Sequence, residues 1–409
     1  MPYRAALDWL SFFLADVRGG LGPYVGIFLL TEAHWDQAMI GGVLTISGLL
    51  GISLHTPVGA LIDATRRKRE LIIAGVVLLA LSAVAIERMP IWPVVLTADI
   101  AMAVLGALFA PTLAAITLGL VRSHDLAARL GRNALFDRAG NLFVAGIAGV
   151  VGWWLSQRAV FYLVPLFAAL TVVAVLSIPA NAIDHERARG GLVHGADPGE
   201  APHPAGWRIL FVRRPFLVLA AGAALFHFAN APMLPLLGQK LALAHPGEES
   251  LLMSACIVTA QLVMIPMALL IGAKADRWGR KPLLLIALAA LPIRGVLYTL
   301  SDDRSWLIGV QILDGVGLGL FDTLLPLVLA DVMRGTGRYN VSRGVIGTIR
   351  GIGGSLSNGV AGLIVVTAGY DTAFLALAAL AAMALFLVWV AMPETRGPDQ
   401  ENAADQVTK

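Results

Sequence analysis

Gly59-Ala60-Leu61-Ile62-Asp63, followed by Arg67-Lys68, returns as Gly272-Ala273-Lys274-Ala275-Asp276 followed by Arg280-Lys281. In both places a short polar run parts two long apolar segments. The copies stand 276 − 63 = 213 residues apart. The same offset aligns Gly106 with Gly319, Gly131 with Gly344, and Gly146-Ile147-Ala148-Gly149 with Gly359-Val360-Ala361-Gly362. The chain is therefore duplicated, and internal repeats of this kind place a working site where the halves meet.

Composition identifies the solvent. Of 409 residues 57% are hydrophobic and 14% charged, with a mean hydropathy of +0.77, too few charges to coat a water-soluble globule of this size. A bilayer is crossed by about 20 apolar residues in a helix. Twelve such spans are expected, at 8–30, 37–62, 70–88, 93–121, 133–156, 160–181, 215–243, 250–273, 282–300, 304–333, 341–367 and 371–393. They are too long for barrel strands, and a helix satisfies its own backbone in lipid. The fold class is thus an all-α membrane protein with twelve transmembrane helices in two pseudo-symmetric six-helix bundles, 1–181 and 215–393. A polar linker, 182–214, joins them, and a tail, 394–409, follows.

Basic residues give the orientation, because loops retained in the cytoplasm keep Lys and Arg. Arg66, Arg67, Lys68 and Arg69 follow the second span, Arg122, Arg129 and Arg132 the fourth, and the linker arginines the sixth. Lys274, Arg277, Arg280 and Lys281 then follow the eighth, with Arg334, Arg338 and Arg343 after the tenth. Both termini are expected in the cytoplasm and the protein in the plasma (inner) membrane. Asp8, Asp16 and Arg18 interrupt the first span, so it does not read as a cleavable signal. The single cysteine, Cys256, excludes an intrachain disulfide or a thiolate cluster.

The run Gly272, Asp276, Arg277, Gly279, Arg280 and Lys281, together with a six-plus-six helix pattern and a basic central linker, resembles the major facilitator superfamily over the whole chain. In the first copy Ala64 and Arg66 replace the Arg and Gly of that signature. The resemblance implies a cavity lined by helices 1, 4, 7 and 10, with helices 2, 5, 8 and 11 at the bundle interface. Subclass marks are mixed. Helix 5 has Gly140, Gly146, Gly149 and Gly152 without the Gly-Pro pair of drug antiporters, helix 4 shows Asp99 in place of their membrane arginine, and Pro393-Glu394-Thr395-Arg396-Gly397 resembles sugar porters.

The signature also has a direct physical reading as a cytoplasmic gate. Gly59 and Gly272 would let a neighbouring helix approach, and Asp63 and Asp276 would face the positive ends of helices 11 and 5. Arg67 and Arg280 would then find acidic partners, with Asp331 suited to Arg280.

Ionisable groups inside spans are costly and mark function. Asp16, Arg18, Gly20 and Tyr24 lie in the first span, His227 and Asn230 in the seventh ahead of Pro232 and Pro235, and Asp314 and Asp322 in the tenth. The carboxylates Asp16, Asp314 and Asp322 are expected to couple protons. Arg18, Tyr24, His227 and Asn230 are expected to bind solute, with Arg18 and His227 facing one another. Asp137, Arg138 and Arg350 form a candidate interbundle charge set, the offset mapping Asp137 onto Arg350. His55, Gln261, Arg294 and Asn358 read as packing groups.

No phosphate-cradling loop, Ser-His-Asp order or paired metal-ligand spacing stands out, so neither an enzyme nor a cofactor is expected. The basic clusters follow topology and give no sign of nucleic-acid binding. The sequence reads as a monomeric secondary transporter, with a small polar or anionic organic solute, protons and lipid as its partners. Proton-coupled export is the first direction and uptake the second. A receptor or scaffold of transporter fold is the alternative class, which the intact second signature opposes.

Overall fold

A computed structural model describes residues 4–19, 21–121, 123–184, 209–334, 336 and 338–395. Among these the regular elements are helical. They are α1 (Arg4–Gly19), α2 (Gly22–Thr31), α3 (Gln37–Ala64), α4 (Lys68–Arg88), α5 (Trp92–Leu120), α6 (Ser123–Trp154), α7 (Gln157–Phe161) and α8 (Leu163–Leu176). After the linker come α9 (Ile209–Val212), α10 (Arg214–Asn230), α11 (Met233–Ala244), α12 (Glu249–Trp278), α13 (Arg280–Leu297), α14 (Arg304–Val332) and α15 (Tyr339–Ala391). Most of the expected linker, 185–208, and most of the tail, 396–409, lie outside the described residues.

Nine helices among the described residues are long and apolar enough to cross a membrane, with Ala5–Ala15 and Gly22–Thr31 as shorter apolar pieces. The pattern is consistent with twelve spans. α15 runs for 53 residues, but Gly369, at φ 85° and ψ 170°, breaks it where two spans were expected. That backbone region suits a residue without Cβ. α13 carries three basic side chains, Arg280, Lys281 and Arg294, which lower its hydropathy without shortening it.

Two expected spans are broken. The first divides into α1 and α2, where Pro23 opens the second piece because its missing N–H costs nothing in a first turn. The seventh divides into α10 and α11 at residues 231–232, where Pro232 removes a donor from the helix ladder. The breaks fall at related positions of the repeat.

The helices gather into two compact units. The described residues of Met1–Asp36, Gly42–Gly199 and His245–Ser254 form one, and those of Gln37–Gly41, Glu200–Ala244 and Ala255–Lys409 the other. In the first, α1 packs on α6 and α8, and α4 on α5 and α8. In the second, α10 packs on α15, and α13 on α14 and α15. Leu269, 70% exposed, and Phe386, 62% exposed, turn large apolar side chains outward, as lipid-facing helices do.

Because lipid is as apolar as leucine, helices in a membrane associate through close packing and polar contacts. A Cβ on Gly315 would fall 2.6 Å from the Ala260 carbonyl oxygen, so α14 lies directly on α12. Gly59 and Gly272 behave otherwise, since nothing lies within 4 Å of an added Cβ at either. The tight glycine contacts inside the units fall elsewhere, as at Gly315.

Candidate functional site

α10, α14 and α15 each contribute one polar side chain to a cluster in the second unit. Arg350 of α15 donates from Nη2 to Asp322 Oδ1 of α14 at 2.7 Å and from Nε to His227 Nε2 of α10 at 2.9 Å. Arginine has only donors, so Nε2 of His227 must accept, which puts the ring proton on Nδ1. Nδ1 in turn lies 3.0 Å from the Ala223 carbonyl, which takes that proton. His227 is therefore neutral while Arg350 is docked. The stacked rings of Phe226 and Phe321, 4.4 Å apart, wall the imidazole, and Arg350 lies over Phe321 at 5.8 Å.

Asp322 and Arg350 open onto a cavity of about 300 Å³ that Pro326, Arg343 and Gly347 also line. This is the small end of the range for ligand sites. Arg343 and Arg350 lie seven residues apart, two turns of helix, and so share a face. Two guanidiniums against one carboxylate leave the cavity one positive charge in excess. The cluster can grip an acceptor-rich or anionic group.

Asp314 does not join Asp322. It is buried and ion-paired to Arg294 of α13, whose guanidinium stacks over the Tyr298 ring at 5.6 Å. Gln311 donates to the Tyr298 hydroxyl at 2.8 Å beside it. Arg294, expected to be a packing group, thus takes the carboxylate expected to couple protons. Tyr24, expected to bind solute, is also committed, since its hydroxyl lies 2.7 Å from Ser254 Oγ and 3.4 Å from the Ala145 carbonyl. Asn230 ends α10 at the break. Asp16 and Arg18 belong to α1, but their side chains, and Gly20, lie outside the described residues.

Of the candidate interbundle charges, Arg350 bonds within its own unit, to Asp322 and His227, because both lie within reach of one guanidinium on neighbouring helices. The Asp137 carbonyl accepts from Asn141 at 2.9 Å, and Arg138 is exposed.

Around the second signature copy, Arg280 opens α13 with its side chain buried. It meets Asp276 Oδ1 at 2.7 Å and Asp331 Oδ2 at 3.1 Å. Burial works against its charge, and the bonds to Asp276 and Asp331 raise its proton affinity above the ordinary guanidinium value. Asp331 also takes Arg334 at 2.9 Å. Asp276, expected at the end of a neighbouring helix, sits on Arg280 one turn away.

Glu394 completes this turn. Its carboxylate accepts from the N–H groups of Arg280 at 2.9 Å and Lys281 at 3.1 Å, capping the positive end of α13. The sequence showed it only as part of a subclass mark. In the first copy Arg67 is exposed, and the side chain of Asp63 lies outside the described residues.

Two further clusters were read only as interruptions or loop charges. Asp8 of α1 is buried and pairs with Arg129 and, at 2.7 Å, with Arg132 of α6. Asn133 accepts from Arg129 Nε at 2.8 Å and donates to Thr117 at 2.9 Å. Lys240 of α11 meets Asp302 at 2.7 Å and Asp371 at 2.9 Å. The signal for the first was a buried-period acid in α1 opposite two arginines one turn apart.

Broken helices in two related halves, a polar cluster shared by α10, α14 and α15 and charged turns after α3 and α12 characterise the architecture. A family model for the Major Facilitator Superfamily matches residues 7–357 and 230–408. The chain belongs to that superfamily and is a transporter, not an enzyme. It is 49% identical over 398 residues to an uncharacterized MFS-type transporter, MT2531, of Mycobacterium tuberculosis, covering 96% of this chain and 94% of that one. It is 26% identical over 339 residues to sugar efflux transporter B of Salmonella typhimurium, covering 79% of each. Among solved structures, nucleoside transporter NupG aligns with a TM-score of 0.76 at 16% identity over 96% of this chain and 99% of that one. A bacterial homolog of the human lysosomal transporter Spinster aligns with a TM-score of 0.69 at 14% identity over 96% and 97%. These two show the shared fold.

Proposed function

We propose that the chain exports a small polar or anionic organic solute by alternating access, using the proton gradient. The observation that carries this reading is the Asp322–Arg350–His227 cluster on a cavity that also holds Arg343. While ionised, Asp322 holds Arg350; once protonated it is a poor partner, and the guanidinium is free for an acceptor on the solute. His227, neutral and accepting, keeps Arg350 aimed during the exchange. Proton binding and solute binding then act on the same guanidinium, which is a coupling device. The name of the Salmonella relative, a sugar efflux transporter, supports a hydroxyl-rich solute and outward transport. Arg280, Asp276 and Asp331 serve as a latch at the cytoplasmic end, with the basic loops and both termini on that side of the inner membrane.

The test is a thermal-stabilisation screen of purified protein with hexoses, nucleosides and monocarboxylates. A compound that stabilises the wild type should bind Arg350→Gln more than tenfold less tightly, about 1.4 kcal/mol. Equal affinity in both proteins removes this cluster from solute binding.

A further inference from the structure

Among the described residues, Asp99 differs from the three span carboxylates Asp8, Asp314 and Asp322, which meet arginines. Asp8 takes Arg129 and Arg132, Asp314 takes Arg294, and Asp322 takes Arg350. Asp99 of α5 takes a hydroxyl, that of Ser47 on α3. It is half-buried, seven residues into α5, about 10 Å along the helix at 1.5 Å per residue, at the end away from the basic loops. One turn further on, a Cβ on Gly51 would fall 2.9 Å from Ala103 Cβ, so α3 and α5 are pressed together along this seam.

Charged groups on the neighbouring elements are engaged elsewhere. Glu87 of α4 pairs with Arg88 at 3.1 Å and accepts from Tyr162, Asp8 of α1 holds the arginines of α6, and His55 of α3 lies two turns beyond Ser47. On α6, Asp137 and Arg138 lie toward the basic-loop end.

The hydrogen count and the neutral surroundings together favour one state of Asp99. Ser47 Oγ is placed to bond both Asp99 Oδ2 and, at 3.3 Å, the Leu44 carbonyl, yet a hydroxyl has one hydrogen. Shared between two acceptors, that hydrogen serves each less well than a bond of its own. If Asp99 is protonated, its O–H donates to Ser47 Oγ and the Ser47 O–H donates to Leu44, so both bonds are made. An ionised Asp99 would leave two acceptors on one hydrogen and a charge in hydrocarbon with a single neutral donor, which is costly. From this geometry we infer that Asp99 and Ser47 form a proton-binding site between α3 and α5, separate from the Asp322–Arg350 pair. The proton enters as H⁺ on the Asp99 carboxylate from water at that end of the helices. It leaves as H⁺ when the seam opens and water solvates the carboxylate.

The repeat supports a role confined to one half. The offset places Ala260 and Ile312 where the first half has Ser47 and Asp99. In the second half Gly315 packs against Val263 and the Ala260 carbonyl, and the acid beside it, Asp314, is held by Arg294. At the places of Ser47 and Asp99 themselves the second copy packs with no protonatable group.

Infrared spectroscopy of the purified, lipid-reconstituted chain at neutral pH reads this proton directly, whatever the outcome at the solute site. The wild type should show a protonated-carboxyl C=O band that downshifts in D₂O. Asp99→Asn should lose that band, and Ser47→Ala, which removes the hydrogen-bond partner but keeps the acid, should move it to higher wavenumber. Loss of carboxylate intensity in Asp99→Asn, or a spectrum that neither substitution alters, overturns the assignment. Should Asp99→Asn fail to fold, the Ser47→Ala shift alone decides.

Discussion

The turn after α3 and the turn after α12 descend from one sequence and are held by different chemistry. In the second, Arg280 is buried between Asp276 and Asp331, while Glu394 caps the helix that follows. In the first, the buried cation is Lys68, whose ammonium donates to the carbonyls of Ile62 at 3.0 Å and Thr65 at 2.9 Å. The offset puts Leu118 and Asn181 where the second half has Asp331 and Glu394. Asp63 keeps the place of Asp276, but the places of Asp331 and Glu394 carry no acid, and the Lys68 ammonium lies on carbonyl dipoles at the end of the preceding helix, where a positive charge is favoured. One copy is built on ion pairs and the other on carbonyl acceptors.

The comparison can be broken by substitution. Asp331→Asn should have the largest effect, because it strips a partner from a buried cation. Removing one member of a buried pair costs about 3–5 kcal/mol, and the surviving Asp276 contact places this case near the lower end. A melting temperature in detergent unchanged from wild type would show that the second turn is no latch. Lys68→Met keeps the stem and removes two donors from buried carbonyls. The expected loss is about 1–3 kcal/mol, with no change when Asp331 is already Asn, since the turns lie in different units and should add. A strong non-additive coupling would contradict two independent devices. Arg67→Ala, at the position equivalent to Arg280, should shift stability by no more than about 0.5 kcal/mol, because the side chain is exposed. A large loss there would restore the symmetric latch that the signature suggests.

Much of the architecture was legible in the sequence because length, apolarity and the 213-residue repeat are properties of single segments. The break at Gly369 and the interruption near Pro232 follow from residue type alone. What could not be read was which face of one helix meets which neighbour. Asp314 and Asp322 lie eight residues apart, and at about 100° per residue their side chains diverge by about 80°. One turns to Arg294 on α13 and the other to Arg350 on α15. That choice depends on helix packing, as does the pairing of Arg350 with Asp322 and His227. Glu394 was missed for a related reason, since a cap supplied 113 residues away leaves no local pattern. Asp99 was read only as a departure from a subclass, and its meaning emerged from the one hydroxyl it meets.

The central claim is that protonation of Asp322 competes with Arg350 and thereby couples solute movement to the proton gradient. Reconstituted Asp322→Asn, supplied with the solute found in the thermal screen, should exchange it across the membrane as the wild type does in counterflow. It should fail to build a concentration difference when a pH gradient is imposed. Accumulation by Asp322→Asn equal to that of wild type under the same gradient would contradict the account.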